Sequence, residues 1–141
     1  MDKRFWVCSL VVAVAALLLD FLVHGVLLQG DYQALVARGV MRTPEDAQGY
    51  MPWMLGAHLL IGYGMTWLYR QRGDRGRPDL GHGLRFGAGF ALAAIIPGYL
   101  IYYAVQPLPA ALVGRQVLYA TIVTLLLGLL LAWLQPGRKA L

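Results

Sequence analysis

Four apolar stretches, each close to the length a helix needs to cross a bilayer, constrain this chain more than any other feature. A hydrocarbon core of about 30 Å takes roughly 20 apolar residues in helical conformation. Such stretches run from Phe5 to Leu28, from about Met51 to Tyr69, from about Leu84 to Val105 and from about Val113 to Leu134. The scarcity of charge agrees. Only 13% of the 141 residues are charged, against about 25% in a soluble domain. The expected architecture is all-α: one polytopic membrane domain over residues 1–141, four transmembrane helices connected up-down-up-down, with a short helical outer loop between the first two.

Lys3 and Arg4 ahead of an apolar run suggest a signal peptide. The run exceeds the ~7–15 residues of such a segment and no small-x-small cleavage site follows, so a retained helix is expected. Cys8 is the one cysteine; it leaves no intrachain disulfide and no cysteine-based metal site.

The basic residues set the orientation. Lys3 and Arg4 precede the first helix, the second loop RQRGDRGRPD holds Arg70, Arg72, Arg75 and Arg77, and Arg138 and Lys139 follow the fourth. In the first loop Arg38 and Arg42 are offset by Asp31, Glu45 and Asp46, and the third loop QPLPAA is uncharged. The positive-inside rule puts both termini and the second loop in the cytoplasm. The net charge of +5 is thus a topology signal and a contact for anionic lipid, not a nucleic-acid footprint. Trp6, Trp67 and Trp133 are expected near the inner interface, with Trp53 and Tyr50 near the outer one.

Loop one, residues 29–50, is the only long connection. DYQALVARGV reads as a short interfacial helix with Leu35, Val36 and Val40 towards lipid. In RTPEDAQGY, Thr43 is an N-cap, Pro44 takes the first helical position, and Glu45 and Asp46 follow in the first turn. Such a segment can lie over the outer end of the helices. In GHGLRFGAGFALAA, Gly83, Gly87 and Ala91 share one face at four-residue spacing, which suits close helix packing in lipid. Gly81, Arg85 and Gly89 share a neighbouring face, and Pro97-Gly98 interrupts the same helix near mid-membrane.

Polar residues inside these stretches are unevenly placed. At 1.5 Å per residue, His24 lies about 6 Å, Asp20 about 12 Å and His58 about 9 Å below the outer boundary. Arg115 and Gln116 lie about 5–6 Å down by the same measure, Tyr99 and Tyr102 close the third helix, and the inner half is nearly bare. A charge in hydrocarbon costs at least ~2.5–3.5 kcal/mol, so such groups face inward and pair. The expected cluster is Asp20, His24, His58, Arg115, Gln116, Tyr99 and Tyr102, with Arg115 as counter-ion to Asp20. It can serve as a structural ion pair fixing helix register, or as an outward-opening site for a small polar or anionic ligand. Asp20, His24 and His58 form a conceivable three-ligand set for a divalent metal, and His24 with His58 a conceivable bis-histidine haem site. His82 sits at the cytoplasmic edge. No nucleophile motif or phosphate-cradling loop accompanies these groups.

The DFLVHG end of the first helix, the PWMLGAHLLIGYG start of the second, GLRFG, and YLIYYAVQPLP before a closing apolar helix resemble small bacterial four-helix membrane proteins known only as domains of unknown function. The resemblance spans most of the chain and implies a bacterial inner membrane. It brings no catalytic residues, and the leading expectation is a non-catalytic accessory or assembly subunit, with lipids and a protein partner or second copy as contacts. A ligand- or ion-binding protein and a haem or metal redox protein are the alternatives.

Overall fold

The computed structural model describes residues 2–71 and 78–134, and every regular element among them is a helix. Arg72, Arg75, Arg77, Arg138 and Lys139 of the orientation argument lie outside the described residues. Helix α1 (Lys3–Asp20) starts at Asp2, whose carboxylate accepts the Phe5 backbone N–H at 3.1 Å. It continues without a break into a π-helical segment, Phe21–Leu27. Then follow α2 (Gln29–Ala37), α3 (Pro44–Gln48) and α4 (Met51–Arg70). Beyond the second loop come α5 (Leu80–Phe90), a second π-helical segment (Ala91–Ile95), α6 (Ile96–Val105) and α7 (Ala110–Leu134).

Three of these helices are long and apolar enough to cross a membrane: Lys3–Leu27, Leu80–Val105 and Ala110–Leu134. Helix α4 has 20 residues and is not among the three. Its apolar residues are diluted by Gly56, His58, Gly62, Gly64, Thr66 and Arg70.

Helix α1 packs antiparallel to α4, and α5 packs antiparallel to α7. Both pairs meet through glycine. A Cβ added to Gly62 would collide with the Ser9 carbonyl and come within 2.7 Å of Ala13 on α1. One added to Gly83 would stand 2.5 Å from the Gly128 carbonyl oxygen, and one on Gly87 2.5 Å from that of Thr124. The Gly83–Gly87–Ala91 stripe is therefore spent on contact with α7 inside the chain. Nothing lies within 4 Å of the space a Cβ would fill at Gly89, which belongs to the neighbouring face. Helix α1 also touches α7, and the two pairs share a core that includes Val12, Ala16, Met65, Val123, Leu127 and Leu131.

Pro97 explains the widened turn before it. Proline lacks an N–H and its ring clashes with the carbonyl four residues back; the π-helical Ala91–Ile95 opens that turn, and the helix resumes at Ile96. Loop one folds back over the outer end. Thr43 caps α3 by accepting the Asp46 N–H at 3.3 Å, as the sequence led one to expect. Helix α2 ends at Gly39, whose φ of 69° suits glycine. One expectation is corrected here: Leu35 does not face lipid. It is buried in the core with Leu28 and Leu112, because α2 lies across the helix ends and turns its apolar side down onto them.

The glycine contacts generate a test. Gly87→Ala and Gly128→Ala should each cost about 1–3 kcal/mol by overpacking. Gly89→Ala should be neutral or stabilising, because glycine in a helix costs up to about 1 kcal/mol relative to alanine. Thermal unfolding in mild detergent, followed by loss of the monodisperse peak, checks the ordering.

Candidate functional site

Asp20 ends α1 and His58 lies two turns into α4, so the antiparallel pairing brings them together. His58 Nε2 stands 3.0 Å from Asp20 Oδ2, and His58 Nδ1 stands 2.8 Å from the Met54 carbonyl oxygen. A carbonyl can only accept, so Nδ1 carries a proton and donates it to Met54. One further proton must then lie between Nε2 and the carboxylate, whichever of the two holds it. The imidazole is nearly enclosed, with its side chain 9% exposed against 36% for Asp20. Asp20 Oδ1 has no hydrogen-bond partner among the described residues.

His24 belongs to a different network. Its Nδ1 is 2.6 Å from the Tyr32 hydroxyl on α2, and its Nε2 is 3.5 Å from the Tyr99 hydroxyl on α6. Gln116 on α7 donates from Nε2 to the same Tyr32 oxygen at 2.8 Å. The imidazole tautomer sets which partner donates in each of the two His24 contacts. The chain Gln116–Tyr32–His24–Tyr99 thus joins four elements. Gln116 Oε1 is buried and has no partner among the described residues. Burial holds the Tyr32 phenol above its ordinary value of 10.0, with the Gln116 hydrogen bond opposing the shift.

Arg115 corrects the expected ion pair. Its Nη2 lies 2.7 Å from Asp31 Oδ1 on α2, not on Asp20. The residue sits one turn from the outer end of α7, so its long side chain runs outward to the half-exposed interface and leaves its stem on apolar surface. Asp20 is left to His58. The polar residues of the outer half therefore form three separate contacts and not one patch around a single cation. Tyr102 is exposed, though it lines an outer cavity together with His24, Tyr99 and Gln116.

Three cavities follow these residues. The deepest, 90 Å³, lies between α1, α4, α6 and α7 and is lined by Asp20, Ile61, Phe90, Tyr99 and Thr124 among others. Tyr99 also walls an outer cavity of 260 Å³ that includes His24, Tyr32 and Gln116. His24 and Tyr32 in turn border a groove of 520 Å³ beneath loop one.

Among the described residues no three His, Cys, Asp or Glu side chains are placed to hold a metal ion. Asp20 and His24, four residues apart, would share a face in an α-helix. The π-helical segment beginning at Phe21 widens the turn between them, so Asp20 meets α4 while His24 meets α2 and α6. Of the two histidines of the haem expectation, His58 has both nitrogens hydrogen-bonded and His24 has a phenol at each nitrogen.

Tyr32 and Asp31 are the residues that sequence reasoning missed. Both lie in loop one, and nothing in DYQALVARGV says that this helix docks on the ends of α6 and α7. The one available signal was the burial demand itself. His24 needs a second partner, and Tyr32 is the first phenol after it.

Two measurements test this assignment. A double-mutant cycle of Asp20→Asn with His58→Gln should show a coupling of about 1 kcal/mol, within the range of interhelical hydrogen bonds in membranes. The cycle of Asp20→Asn with Arg115→Gln should add to within about 0.5 kcal/mol. Because folding raises the Tyr32 value, its contribution to stability is intact below pH 10.0 and is lost as pH rises through the higher folded value. Phenolate absorbance of the protein minus that of Tyr32→Phe should accordingly show one tyrosine titrating late.

No curated protein and no solved structure matches the chain. A family model described as "Protein of unknown function (DUF1761)" covers residues 7–132, which takes in α1 through most of α7 and every residue of the networks above. The chain belongs to this family of unknown function.

Proposed function

We propose that this chain is a single-domain, four-span protein of the bacterial inner membrane, with both termini in the cytoplasm, acting without catalysis as an accessory or assembly subunit. Helix α4 serves as the fourth span. Its support is coextension with α1: Asp20 meets His58 near one end, and Arg70 meets Asp2 at 3.3 Å at the other. Twenty residues of helix reach about 30 Å, the thickness of the hydrocarbon core.

The observation that carries the assembly reading is the contrast between the membrane-level charged and imidazole side chains, which pair within the chain, and an unpartnered perimeter. Asp20, His24, His58 and Arg115 all find partners within the chain. By contrast the most apolar window of Leu80–Val105 is only 6% buried. Leu100, Ile101, Tyr102, Tyr103 and Val105 stand exposed on α6. A span that contributes so little of its surface to its own core has its surface available to another protein or to lipid, and its paired tyrosines favour a protein.

A photo-crosslinker attached through Ile101→Cys in a Cys8→Ala background tests this in native membranes. A discrete protein adduct is expected. Adducts to lipid alone would overturn the assembly reading.

A further inference from the structure

The deep cavity has a chemical character that the assembly role does not use. Its wall is apolar except at Asp20, Tyr99 and Thr124. Thr124 donates to the Ala120 and Thr121 carbonyls of its own helix, so its proton is occupied. Asp20 thus presents the one carboxylate, with Oδ2 on His58 and Oδ1 unpartnered among the described residues. Two aromatic rings, Phe90 and Tyr99, stand in the same wall. A carboxylate beside aromatic rings favours a compact organic cation, since the wall supplies both the counter-charge and the cation–π surface. An anion would meet the carboxylate unfavourably, and a strongly hydrated metal ion would lack oxygen ligands.

We infer that this cavity, reached from the outer side past Tyr99, binds a small monovalent organic ammonium ion against Asp20. Tyr99 is shared with the outer cavity, which continues past His24 and Tyr32 to the groove under loop one. On the other side α5 and α7 close at Gly83, Gly87 and Gly128.

The ammonium ion meets the open Oδ1, and the hydrogen bond between His58 Nε2 and Oδ2 stays in place. The titratable groups facing the pair are His24 from the first π-helical segment, Tyr32 from α2 and Tyr99 from α6. Among the described residues α5 and α7 bring no titratable side chain to the cavity, and Arg115 is held by Asp31.

This inference does not depend on the assembly reading, because it is measured on the isolated, monodisperse full-length protein. Calorimetric titration with tetramethylammonium, whose charge does not titrate, should show saturable one-site binding. Asp20→Asn should abolish binding. Ala120→Leu, which fills the cavity and leaves the carboxylate in place, should abolish it too and decides the matter if the first variant does not fold. Absence of saturable binding to the unmodified protein, equal binding of the uncharged isostere neopentane, or binding that survives Ala120→Leu would each overturn the inference.

Discussion

A histidine buried between helices has two nitrogens to satisfy, and the arrangement around His58 follows from that. Its own helix supplies one partner, the Met54 carbonyl a turn earlier. The other must come from a neighbouring helix, and Asp20 on α1 provides it. The contact sets the register of α1 against α4: a slide of either helix by one residue would strand an imidazole and a carboxylate at once. Leaving a buried polar group without a partner costs about 1–3 kcal/mol, more for a charged one. The hydrogen bond therefore specifies one packing even where its net stabilisation is small.

Glycine contacts make that register attainable. In lipid the helices gain little from hiding apolar surface, so they associate where their backbones can approach and pack. Gly62 lets α4 settle against Ser9 and Ala13, and Gly83, Gly87 and Gly128 do the same for α5 and α7. The cavities lie away from these contacts, along Asp20, His24, Tyr32 and Tyr99. Close packing below and polar contacts above thus arise from the same sequence asymmetry.

Loop one turns this asymmetry into a site. By lying across the ends of the helices, α2 buries Leu35, delivers Tyr32 to His24 and Gln116, and gives Arg115 its carboxylate in Asp31. The consequence is a division of labour among groups that look equivalent along the chain. Asp20 is released from Arg115 and left with a single imidazole partner and an open oxygen, and the deep cavity acquires its one carboxylate.

The sequence by itself determined the helical class, the positions of the long apolar helices, the cap at Thr43 and the face along which Gly83 and Gly87 pack. Those features depend on composition and spacing within one segment, and lipid as a solvent leaves a chain few alternatives. It also showed that polar residues gather in one half of these helices. Which of them touch was decided only in the tertiary structure. Asp20 and His24 part company because a π-helical turn alters the angle between them, and Arg115 goes to Asp31 because α2 docks across the helix ends. Pairing of this kind depends on the rotation of each helix about its own axis and on the docking of a short connecting helix. Both are set by contacts between distant segments, and no periodicity within a segment records them.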